Sequence, residues 1–118
     1  MTEAPIYMTD SYCGLSHLIY SLKYNEIMDK KRKEAILTAV ITTVDTLSSL
    51  IAFRKVKAEL SNDPDATEYM DQTMNNNLLE TFFGNNELPE MELQLKGLTK
   101  KLRDTTAAVS FDWQRFFE

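Results

Sequence analysis

Between residues 35 and 53 the chain carries one charge, Asp45, and its apolar positions recur at helical spacing. Ile36, Val40, Val44, Leu47 and Ile51 form one stripe, which Leu37 and Ile41 widen. The opposite side holds Thr38, Thr42, Thr46, Ser49 and Phe53 in place of charged residues. This pattern predicts one long helix over residues 29–60 with no ordinary solvent face, and a helix apolar or small nearly all round is usually buried. A shorter helix is predicted over residues 10–27, capped by Thr9 or Asp10, with Leu15, Leu18, Ile19 and Leu22 on one face. Residues 1–8, broken by Pro5, read as an extended lead-in.

The run Ser61-Asn62-Asp63-Pro64-Asp65 stops one helix and starts the next, because Asp63 suits an N-cap and Pro64 the first helical position. A third helix is predicted over 64–83, with Met70, Met74, Leu78 and Phe82 inward and Gly84 as a left-handed terminator. Pro89 opens a fourth, reaching almost to the last residue. Its stripe of Met91, Leu95, Leu98, Leu102, Thr105, Val109, Trp113 and Phe116 is close to a heptad, and Gly97 is a place for it to kink. The expected fold is therefore all-α: a single domain over 1–118, an antiparallel bundle of about four helices with one long central helix.

The apolar stretch has nearly the length of a membrane span. Asp45 at its centre, six Thr or Ser residues and basic clusters on both flanks speak against one. No apolar leader is visible at the N-terminus, and one cysteine, Cys13, excludes an internal disulfide framework. A cytoplasmic protein without a membrane span is expected. The stripe of Thr38, Thr42, Thr46 and Ser49 would admit a second helix closely, so self-association as a homodimer or higher oligomer is expected through it.

Charge changes this picture. The net charge is −5, yet residues 58–95 contain nine acids and no Lys or Arg, so the rest of the chain sums to +4. Asp65, Glu68, Asp71 and Glu80 on the third helix would form an acidic field able to steer a basic partner, such as a nucleic-acid-handling protein. Direct nucleic-acid binding is not expected from an acidic chain whose basic runs, at residues 30–33 and 96–103, are short and separate.

Candidate chemistry is sparse. Asp10, Cys13 and His17 share a helix face and could orient a thiolate–imidazole pair, but the chain has one His and one Cys, too few for a structural zinc site. The three glycines are far apart, which excludes phosphate-binding loops. No cofactor, metal or catalytic residue is therefore expected. His17, Tyr20 and Tyr24 form a semi-polar contact face, and Phe111 and Phe117, off the core stripe, are expected as exposed aromatic anchors. The reading is a non-enzymatic binding protein of the inhibitor, immunity or antagonist kind. The alternative is an assembly component that oligomerises through its long helix.

Overall fold

A computed structural model of the chain describes residues 8–73 and 77–116, and the side chains of 8–72 and 77–114. The fold is all-α: no strand occurs among the described residues. The helices are α1 (Asp10–Tyr24), α2 (Lys30–Glu59), α3 (Pro64–Thr73), α4 (Leu78–Phe83), α5 (Leu88–Ala108) and a single final turn, α6 (Trp113–Phe116).

Local chemistry sets most of these ends. Thr9 caps α1 by accepting the Tyr12 amide at 3.0 Å, and its hydroxyl donates to the Phe82 carbonyl at 2.6 Å, tying α1 to α4. α1 stops at Tyr24, short of the expected residue 27. The Asn25 carboxamide oxygen accepts both the Ile27 and Met28 amides at 2.9 Å, and this Asx turn competes with helical continuation. Ile27 is left 97% exposed. Asp29 then caps α2 through the Arg32 amide at 2.8 Å. The expected third helix divides: Asn77 is non-helical and separates α4 from α3. The inward position expected for Met74 lies outside the described residues.

The core is built where α1, α2 and α5 meet, with α4 packed on α1 and α2. Ile19 and Leu22 come from α1, Leu37 and Leu47 from α2, Phe83 from α4, and Met91 and Leu98 from α5, all at most 2% exposed. Tyr12 packs against Phe83, their ring centroids 6.4 Å apart. α3 lies against α2.

α2 departs most from expectation. It is one continuous helix of 30 residues, but it is covered on one side only. Leu37, Val40, Ile41, Val44, Leu47, Leu50 and Ile51 are buried, while Thr38, Thr42, Asp45, Thr46 and Ser49 are exposed. The hydroxyls of Thr38, Thr42 and Thr46 donate to the carbonyls four residues back at 2.8–2.9 Å, so they are satisfied within the helix, and Asp45 is the one charge of the exposed side between residues 35 and 53. Shape explains the bare side. The Cα extents are 52 × 44 × 19 Å, about two helix layers thick. The radius of gyration is 16.7 Å, against roughly 13.5 Å for a compact domain of this length. α2 alone among the described helices is long and apolar enough to cross a bilayer, and 39% of its most apolar window is buried by the rest of the chain.

The C-terminal stripe also ends early. α5 closes at Ala108 in a Schellman motif: Ser110 has φ 54°, its amide donates to the Ala107 carbonyl at 3.2 Å, and the Phe111 amide donates to the Thr106 carbonyl at 2.9 Å. The turn carries Phe111 into the core, 7% exposed, and leaves Trp113 47% exposed. Phe111 is therefore not the displayed anchor expected from the sequence, and Trp113 does not continue the core stripe. The positions expected for Phe116 and Phe117 lie outside the described side chains. A serine at positive φ is strained relative to glycine. Ser110→Gly should raise the unfolding free energy by about 0.5–1 kcal/mol, read as a shifted urea midpoint at unchanged slope.

Candidate functional site

The residues singled out in the sequence divide into three surfaces. The first is the outer face of α1. Ile19 and Leu22 turn into the core, which leaves His17, Tyr20 and Tyr24 outside. The two tyrosines are 60% and 58% exposed and pack against each other in a tilted arrangement, ring centroids 4.7 Å apart at 47°. The Lys23 ammonium sits 5.4 Å from the Tyr24 ring centroid, within cation–π range. Beside them α1 and α5 enclose an open groove of about 490 Å³, which His17 and both tyrosines help to line. Its far wall carries Lys101, whose ammonium donates to the Ser16 hydroxyl at 2.6 Å, together with Asp104 and Thr105. Burial raises the Tyr12 phenol above its ordinary value, and the neighbouring Cys13 adds to the shift, so Tyr12 lines the groove as a neutral group.

Cys13 is exposed on the same groove. Asp10, Cys13 and His17 are all exposed, and no side-chain hydrogen bond joins them among the described residues. A thiolate–imidazole pair needs the base within hydrogen-bond reach and held by a third group, and this face does not hold one. Among the described residues no group of three or more His, Cys, Asp or Glu side chains is placed to hold a metal ion.

The second surface is the acidic segment. The structure separates its members. Asp71 is ion-paired with Lys57, Glu80 with Arg54 at 2.7 Å, and Glu92 with Lys55 at 3.4 Å. The cations of α2 therefore take up part of the field that composition alone suggested. Asp65 and Glu68 on α3 stay exposed without an ion pair among the described residues. The hydrogen bond from Arg54 holds the Glu80 carboxyl below its ordinary value, against a smaller opposing effect of burial. A carboxylate depressed in the folded state stabilises the protein above its unfolded pKa, and that contribution disappears as pH falls through the folded value. The pair is half exposed, so its worth is small. Glu80→Gln should cost about 0.5 kcal/mol at neutral pH and nothing once the pH is well below the usual glutamate range, measured by urea titrations at both pH values.

The third surface is the outer side of α2. Thr38, Thr42, Thr46 and Ser49 lie on it together, with Ala35 and Ala39 also exposed. Sequence reasoning missed the groove beside the tyrosines, because its second wall comes from α5, some eighty residues away. It also missed Trp113 as the exposed tail aromatic. The left-handed residue that produces this exposure is a serine, and glycine is the usual signal. No protein-family model, curated protein or solved structure matches the chain.

Proposed function

We propose that this chain is a non-enzymatic protein-binding module of the inhibitor or antagonist kind, and that it meets its partner through the outer face of α1. One observation carries the reading: Tyr20 and Tyr24 pack ring against ring, tilted, and are more than half exposed beside an open groove lined with apolar and cationic groups. A tyrosine pair that supports its own ring geometry offers large amphipathic area at low entropic cost, the property that makes tyrosine common at interface hot spots. His17, Lys23 and Lys101 surround the pair with donors that give orientation. Asp65 and Glu68 supply long-range steering toward a basic partner and little affinity. The same reading treats the packed helices as an antiparallel bundle working in the reducing cytoplasm, with the apolar side of α2 spent on α1 and α5 rather than on lipid.

The test is affinity capture from the organism that encodes the chain, with wild type and three variants on parallel resins. Tyr20→Ala/Tyr24→Ala should lose the specifically retained protein, with helical content by circular dichroism unchanged. Asp65→Lys/Glu68→Lys should retain it but slow its association at low salt. Cys13→Ser should retain it fully, which separates binding from thiol chemistry. Capture by the tyrosine variant equal to wild type would remove the α1 face from the account.

A second reading is favoured by the outer side of α2, where Thr38, Thr42, Thr46 and Ser49 present methyl and methylene groups over bonded-back or small hydroxyls. Such a surface allows close helix approach, and an assembly function would use it to join copies of the chain at high concentration.

A further inference from the structure

Among the described residues, the ion pairs leave charges of both signs unmatched on α5 and on α3. All three cations near the C-terminal end of α2, Arg54, Lys55 and Lys57, are paired with acids of the same chain. The four cations of α5 have no ion pair among the described residues: Lys101 turns to the Ser16 hydroxyl of α1, and Lys96, Lys100 and Arg103 remain. They follow one another at spacings of four and three, so they stand on one side of the helix. That side borders a groove of about 950 Å³ between α2 and α5, with Ile51, Leu95 and Leu93, the last 59% exposed, in its lining. Glu92, also in the lining, is taken up by Lys55, which leaves Asp104 to offset three cations.

Of the three acids of α3, Asp71 is held by Lys57, whereas Asp65 and Glu68 are exposed and have no ion pair among the described residues. They are three residues apart, the same interval as Lys100 and Arg103, so each pair spans about 4.5 Å of helix. Apolar surface accompanies them, since Val56 and Leu60, at the end of α2 that leads into α3, are 45% and 37% exposed. One chain thus carries a cation-rimmed groove with an apolar lining and an acidic helix with apolar surface beside it.

We infer that the α2–α5 groove is a docking site for α3 of a second copy of this chain, Asp65 and Glu68 meeting Lys100 and Arg103 across the interface. The contact stands apart from the α1 tyrosines and from the threonine side of α2, but it shares Asp65 and Glu68 with the steering role proposed above; the Lys100→Glu/Arg103→Glu variant, which has no part in that role, tells the two apart. Sedimentation velocity on the full chain tests it. Wild type at low salt should show a concentration-dependent dimer or larger species, weakened when salt is raised to roughly 0.5 M, where charges are screened within a few ångströms. Asp65→Lys/Glu68→Lys and Lys100→Glu/Arg103→Glu should each raise the dissociation constant at least about tenfold. Combining the four substitutions in one chain restores the complementarity with signs exchanged and should restore association, a result that simple loss of folding cannot produce. Tyr20→Ala/Tyr24→Ala and Thr42→Glu/Thr46→Glu should leave the association unchanged. A strict monomer at low salt would overturn the inference, as would association insensitive to either reversal. So would a fourfold variant, folded by circular dichroism, that stays dissociated.

Discussion

Phe83→Ala should lower the stability of this protein by about 3–5 kcal/mol, a large fraction of what a domain of this size has. Phe83 is completely buried and is the largest of the fully enclosed side chains. It ends the six-residue helix α4, too short to persist without tertiary contacts, and α4 packs on both α1 and α2. The ring reaches Tyr12 on α1, and the preceding residue, Phe82, accepts the Thr9 hydroxyl at the start of that helix. Truncation therefore opens a cavity and loosens the attachment of α4 to α1 together. The adjoining Gly84, at φ 60° and ψ −133°, occupies backbone space open to glycine and closed to most residues, which limits how far the chain can close around the void. Equilibrium urea unfolding measures the loss. A cost below about 1 kcal/mol would show that α4 is not held in this core.

Leu98→Asp should be more damaging still, and its comparison with Leu93→Asp defines which side of α5 faces inward. Leu98 is fully buried in the middle of a helix that packs on α1 and α2. A carboxylate there has no partner, and burying one unpaired costs several kcal/mol, enough to remove the cooperative transition at neutral pH. Leu93 lies five residues earlier on the same helix and is 59% exposed. The same substitution there should change stability by no more than about 0.5 kcal/mol. Thermal melts of the two variants side by side distinguish them. Equal damage at both positions would mean that α5 is covered on both sides.

These expectations show how much of the fold was readable in the sequence. The ends of α2 were legible to within a residue, because Asp29 is a side-chain cap whose acceptor finds the Arg32 amide and because the Asp63-Pro64 restart follows closely. The inward stripe of α2 was legible for the same reason that helices bury apolar faces. Its outer side was not, because a near absence of charge does not by itself require burial. Threonine hydroxyls that bond to the carbonyl four residues back remove that requirement, and a molecule two helix layers thick has nothing to lay over them. Phe111 and Trp113 exchanged roles because a heptad continues on paper where the chain in fact turns left-handed at Ser110. Of the candidate site, His17, Tyr20 and Tyr24 could be grouped by helical spacing alone. The groove beside them could not, since it depends on Lys101 and Asp104 arriving from α5. Nor does composition tell which acids find cations. Asp71 and Glu80 are paired while Asp65 and Glu68 are not, and only the packing of α3 and α4 beside α2 decides it.

The one-sided covering of α2 is the central feature of this fold, and solvent paramagnetic relaxation of methyl groups measures it directly. With a soluble paramagnetic probe and a dilute sample, the methyls of Thr38, Thr42 and Thr46 should relax strongly, while those of Leu37, Leu47 and Ile51 stay near their probe-free values. Uniform protection of both sets would contradict the account, since α2 would then be enclosed on all sides within a single chain.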